Sequence, residues 1–137
     1  MTPSLESFDH IHIFVVNRLA SEAWYAQVLG LHRAPEFEGW VSERGPLTIG
    51  NPSGTVHLAL FERPAETCRS VVAFRATASE FLVWRSHLCA VLGHAVEAVD
   101  YDFSWSLYFT DPDGNPFEIT SYEYEPIAQA LEHQSAQ

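Results

Sequence analysis

The feature that most constrains this chain is that its pattern of elements occurs twice. From Phe8 the 137 residues run strand, helix and three strands, and near Ser70 the same order restarts. WYAQVLG at 24–30 and HLCAVLG at 87–93 end the two helices alike. Setting His57 against Glu118, 61 residues apart, also sets Phe61-Glu62 against Tyr122-Glu123 and His10 against Val71. The opening and closing strands are thus expected to keep one register, with the helices displaced by about two residues. Such a repeat marks one supersecondary unit used twice, and it decides the fold before any residue-level reading.

The elements follow from side-chain periodicity. Phe8 to Val16 (FDHIHIFVV) is β-branched and aromatic. Alternation along a strand puts Ile11, Ile13 and Val15 on one face and His10, His12 and Phe14 on the other. Asn17 is placed to cap a helix over Leu19–Leu29, whose Ala20, Trp24 and Val28 lie four apart and which Gly30 closes. Strands are expected over His32–Glu38, Glu43–Gly50 and Thr55–Glu62, with Asn51-Pro52-Ser53-Gly54 as a turn. In the last of these, Val56, Leu58 and Leu60 alternate with Thr55, His57, Ala59 and Phe61.

Arg63 to Thr67 is linker-like. The second half opens with a strand over Ser70–Ala76 and a capping box, Thr77-Ala78-Ser79-Glu80. A helical stripe of Phe81, Trp84, Leu88, Val91 and Leu92 follows, stopped by Gly93. Strands are expected over about His94–Asp100, over Trp105–Thr110 and, after the turn Asp111-Pro112-Asp113-Gly114, over Asn115–Tyr122. Three strands with short turns after each helix favour antiparallel neighbours over a parallel α/β sheet. Each helix then covers one sheet face and leaves the other to line a cleft. Length points to one compact domain over 1–137, with module one about 8–62, module two about 69–123 and a polar tail 124–137.

Composition excludes more than it assigns. A net charge of −11 argues against nucleic acid and against an anionic membrane surface. No apolar run approaches the ~20 residues needed to span a bilayer, and the N-terminus shows no signal-peptide pattern. Two cysteines, Cys68 and Cys89, are too few for a disulfide framework and read as structural in a reduced, cytoplasmic protein. Aromatics at 13% favour strands and a lined cavity. There is no Ser-His-Asp signature, no phosphate-cradling glycine loop and no zinc-finger spacing.

The stretches FDHIHIFV (8–15), AWYAQVLGL (23–31), VHLALFERP (56–64) and above all SLYFTDPDGNPFEIT (106–120) resemble the vicinal oxygen chelate superfamily. That group holds glyoxalase I, bleomycin- and fosfomycin-resistance proteins, methylmalonyl-CoA epimerase and extradiol dioxygenases. The resemblance covers about residues 8–123. It implies an α+β fold in which two tandem βαβββ modules form a curved, mixed-sheet half-barrel cleft with the helices on its outer face. It also implies a homodimer and a small-molecule substrate or ligand. In metal-dependent members the ligands lie at four corresponding strand positions, and these fall on His10, His57, Val71 and Glu118. Three are possible ligands and Val71 is an apolar departure.

His10, His57 and Glu118 make a two-His-one-carboxylate set suited to a divalent metal such as Fe, Mn, Zn or Ni. Three protein ligands would leave positions open for water or for a substrate with two adjacent oxygens. The plainer reading is a set of polar groups lining a metal-free cleft. His12, on His10's face, is a candidate general base, a hydrogen-bonded cavity histidine, or a substitute ligand if the register shifts. Tyr108 stands where related enzymes carry a cavity tyrosine, and either bonds a substrate oxygen or packs. Phe14, Phe61 and Tyr122 share the faces of the three candidate ligands and form an apolar wall. Arg75 shares the face of Val71 and either binds an anionic group or is solvated at a strand end. The expected function is a glyoxalase- or dioxygenase-like metal-dependent enzyme on a small oxygen-rich metabolite. The alternative is a metal-free protein that sequesters a drug-like molecule, as bleomycin-resistance proteins do.

Overall fold

A computed structural model describes residues 1–41, 45–66 and 68–135, the side chain of Trp40 excepted. It divides into two compact units, residues 1–68 and 69–137. Each is an α+β unit built on a four-stranded mixed sheet, as the repeat implies.

In the first unit, β1 (Ile11–Val15) leads to α1 (Arg18–Leu29), then β2 (His32–Arg33), a 3-10 segment (Pro35–Trp40), β3 (Leu47–Gly50) and β4 (His57–Glu62). The sheet order is β1-β4-β3-β2, with β1 parallel to β4 and the other pairs antiparallel. Ile13, Val15, Leu58 and Leu60 are buried on one face. Asn17 caps α1 by accepting the Ala20 amide at 2.9 Å, and Gly30 ends it in the left-handed conformation at φ 68°. The buried stripe of α1 is Ser21, Tyr25, Val28 and Leu29. It is rotated from the expected Ala20–Trp24 line, because the phenol ring of Tyr25 takes the core position and Ala20 is exposed.

The expected strand over His32–Glu38 shrinks to two residues. Pro35 lacks an amide donor and fixes φ, so pairing stops there and the chain turns into the 3-10 segment. The expected strand over Glu43–Gly50 is β3 from Leu47; residues 43 and 44 lie outside the described residues, as does Thr67 of the linker.

In the second unit, β5 (Val72–Arg75) leads to α2 (Ala78–Leu92), then β6 (Val99–Asp100), β7 (Trp105–Thr110), β8 (Pro116–Ser121) and α3 (Tyr124–Ser135). The sheet order, β5-β8-β7-β6, repeats that of the first unit, with β5 parallel to β8. Phe81 and Leu88 of α2, Leu107 of β7, and Phe117 and Ile119 of β8 are buried, while Trp84, Val91 and Leu92 are half-buried. α3 packs on α2 and buries Ile127. The β7–β8 hairpin is locked by Asp111, whose Oδ1 accepts the amides of Asp113 and Asn115 and whose Oδ2 accepts the Asn115 side chain. Both thiols serve as acceptors for a backbone amide, Cys68 for Phe14 at 3.5 Å and Cys89 for Val96 at 3.3 Å.

One device recurs in both halves. The first amide of α1, at Arg18, donates to Glu62, and the first amide of α2, at Ala78, donates to Glu123. Glu62 is the last residue of β4 and Glu123 stands two residues beyond β8, and each meets the positive end of a helix. Thr77 caps α2 through the Glu80 amide at 3.3 Å. The two glutamates lie 61 residues apart, so the repeat extends to capping.

Candidate functional site

In each unit the helix lies against one sheet face, and the candidate residues stand on the other. In the first unit His12, Ala59 and Thr48 form one rung across β1, β4 and β3, with Phe14 and Phe61 on the same face of β1 and β4. His10 sits just before β1. Its Nδ1 lies 2.6 Å from Asp9 Oδ2, and its Nε2 lies 3.1 Å from Nε2 of His12. With Asp9 ionised, Nδ1 carries the proton. A neutral His10 then offers its Nε2 lone pair, and His12 Nε2–H donates to it. The His12 ring tilts against Phe61 at 4.6 Å between centroids. Asp9, His10, Phe37, Pro46, Thr48, Ala59 and Phe61 line a small pocket of about 30 Å³.

His57 keeps different company. Its ring leans across Gly50, where a Cβ would stand 2.7 Å from His57 Cδ2. Phe37 meets the ring edge-on at 5.3 Å, and Glu36 Oε1 lies 3.8 Å from its Nε2. The 3-10 segment that supplies Glu36 and Phe37 also walls a second, larger pocket of about 230 Å³, which His32, Arg33 and His57 share.

In the second unit Ser106, Thr120 and Arg75 form one rung, and Tyr108, Glu118 and Ala73 the next. Ser106 is buried and donates to Glu118 Oε2 at 2.6 Å, with Thr120 Oγ1 at 3.2 Å. Thr120 in turn donates to the Trp105 carbonyl, so the one Ser106 hydrogen is shared between Glu118 Oε2 and, more weakly, Thr120 Oγ1. Tyr108 shares a 2.7 Å hydrogen bond with the Tyr101 hydroxyl. That bond, then burial and the nearby Glu118 carboxylate, push the Tyr108 phenol up to about 12. The guanidinium of Arg75 stands 4.9 Å over the Tyr122 ring. Val71, just before β5, is half exposed.

The strand ladders correct the register read from the repeat. Ile11 lies opposite Leu58, 47 residues on, whereas Val72 lies opposite Phe117, 45 residues on. If β1 is laid on β5, the partner of Glu118 in the first half is therefore Ala59, not His57. Sequence alone cannot show this, because the two-residue difference leaves the facing of every side chain unchanged. Three supporting residues were also missed. Asp9 was legible as the neighbour of His10. Ser106 and Tyr101 needed the β7 register and the β6–β7 loop. Among the described residues, no group of three or more His, Cys, Asp or Glu side chains is placed to hold a metal ion. No helix among them is long and apolar enough to cross a membrane.

No protein-family model matches the sequence, and no curated protein does. Solved structures do. An integron cassette protein from the mobile metagenome of a Halifax Harbour sewage outfall is 22% identical, with 85% of this chain and 99% of that one covered at a TM-score of 0.72. A Bacillus anthracis protein described as of the glyoxalase family is 18% identical, with 90% and 100% covered at 0.68. The fosfomycin resistance protein FosX of Listeria monocytogenes, complexed with Mn(II) and sulfate, is 17% identical, with 93% and 99% covered at 0.63. At these identities the likeness is one of fold, and the fold is that of the vicinal oxygen chelate proteins.

Proposed function

We propose that this chain is a metal-dependent enzyme acting on a small molecule with adjacent oxygens, with His10 as a metal donor of the first unit and Glu118 as one of the second. One observation carries the reading. Each of these two side chains is held from behind by a short hydrogen bond, His10 Nδ1 by Asp9 and Glu118 Oε2 by Ser106, both at 2.6 Å. A metal-binding imidazole commonly donates its second N–H to a carboxylate, which fixes its tautomer and raises its basicity. The donors are imidazole nitrogen and carboxylate oxygen, the chemistry that suits Mn(II), Fe(II), Zn(II) or Ni(II).

When bound, such an ion would act as a Lewis acid on the substrate oxygens. The chain's own groups do the rest. Asp9 keeps the His10 proton on Nδ1, so Nε2 presents its lone pair. Ser106 fixes one oxygen of Glu118 and leaves Oε1 available. Tyr108, protonated at any physiological pH, donates its hydroxyl hydrogen to a substrate oxygen. Phe14 and Phe61 supply apolar wall on one sheet face, and Arg75, held over Tyr122, offers a cation to an anionic substituent.

A second reading, a metal-free protein that sequesters a small molecule, draws on the absence of a three-donor group among the described residues and on the hydrocarbon side chain of Val71. Metal analysis of the full chain purified without chelators separates the two. The enzyme reading expects one equivalent of a transition metal, lost in His10→Ala and Glu118→Ala. Metal-free protein that still binds small molecules after both substitutions would establish the second reading.

A further inference from the structure

We infer that His12 joins His10 as a second imidazole donor to the metal, where Val71 at the corresponding position of the second unit supplies none; the inference rests on the metal-dependent reading above. Three observations support it. The Nε2 atoms of His10 and His12 stand 3.1 Å apart. Nitrogens bound at about 2.1 Å to one ion lie roughly 3.0 Å apart at a right angle and roughly 3.4 Å apart at the tetrahedral angle. The pair therefore already has the spacing to share an ion, once the proton that His12 carries on Nε2 has moved to its Nδ1.

The second observation is the company the pair keeps. Asp9 takes the far nitrogen of His10, so its near nitrogen, Nε2, is the one that faces Nε2 of His12. The third is the residue across the ladder. His12 is paired with Ala59, the position that matches Glu118 in the other half. A methyl group there supplies no ligand and takes little room, and the ring of His12 extends beside it toward Phe61. Two apolar residues, Ala59 and Val71, thus stand at positions where the repeat would put donors, and His12 is the imidazole beside the surviving one.

A plain Nε2–H···Nε2 hydrogen bond would hold the rings at a similar distance, so the test must see coordination itself. The full chain, stripped with chelator, is titrated with Zn2+ by calorimetry against a competing chelator. In parallel, histidine 15N resonances are followed by NMR. The expected result is one tight site, with the Nε2 signals of both His10 and His12 shifting together on loading. His12→Ala should weaken Zn2+ at least tenfold and Asp9→Asn by 10- to 100-fold, with unchanged circular dichroism. If His10→Ala abolishes binding while His12→Ala stays within threefold of the parent and its Nε2 signal does not move, His12 is only a hydrogen-bond partner; the inference fails and the metal-dependent reading stands. If the parent chain takes up no Zn2+, both fall.

Discussion

Replacing Gly50 with alanine tests how closely the end of the β3–β4 hairpin is built around His57. The added Cβ would stand 2.7 Å from His57 Cδ2 and 2.8 Å from the Val56 carbonyl oxygen. Unstrained carbon contacts lie at ~3.5–4.0 Å. The two clashes differ in kind. The imidazole hangs on rotatable bonds and can swing off. The Val56 oxygen is backbone and accepts the Asn51 amide at 3.2 Å, so moving it opens the turn. Overpacking a filled site costs roughly 1–3 kcal/mol, and the backbone contact puts this one at about 2–3 kcal/mol. At this chain length that lowers Tm by roughly 8–12 °C. Urea unfolding followed by tryptophan fluorescence measures the loss, in the parent and in a His57→Ala background. Because the carbonyl clash survives without the ring, Gly50→Ala should still cost more than about 1 kcal/mol in that background. A cost that vanishes once His57 is removed, or a single-variant loss below about 0.5 kcal/mol, would refute the reasoning.

Further outcomes follow from other contacts. Tyr108 should titrate near 12 by ultraviolet absorbance, and Tyr101→Phe should bring it back toward the ordinary tyrosine range. Because the folded-state value is raised, the protonated phenol's stabilising share is complete below about pH 10 and is lost as pH rises toward 12; Tyr108→Phe should remove that slope from the alkaline stability profile. Glu62→Gln and Glu123→Gln should each cost about 1 kcal/mol in urea unfolding, since each weakens a charged contact at a helix start. Equal losses would confirm that the two halves use the device alike. Asp111→Ala should cost roughly 2–4 kcal/mol by the same assay, because it removes the carboxylate that accepts from two backbone amides and a buried side-chain amide at the β7–β8 turn.

Where local chemistry settles conformation, the sequence was legible. Asn17 and Thr77 cap helices, Gly30 and Gly93 end them, and the β1, β4, β7 and β8 strands lie where alternation put them. The failures have physical causes. Alternation does not count how far a strand runs once Pro35 removes a donor, so β2 was read too long. His94 to Glu97 carries no pattern strong enough to tell a strand from a loop, and β6 holds only Val99 and Asp100. The helix rotation that buries Tyr25 was missed because spacing alone does not say which of two adjacent stripes packs. The candidate site divides the same way. His10, Glu118 and Tyr108 followed from strand position, but the partners that orient them, Asp9, Ser106 and Tyr101, are set by rotamers and register.

The unequal ladders of the two halves carry a lesson for engineering. An even shift preserves inside and outside, so every residue copied from one half to the other by alignment still faces the intended way. Between the closing strands, however, it arrives two residues away from its spatial counterpart, roughly 7 Å at ~3.3 Å per residue. That is more than three metal–ligand bond lengths. Grafting a donor into the first half by analogy with the second would therefore pass every test of burial and still miss its target; Ala59, rather than His57, is the position from which such a graft should begin.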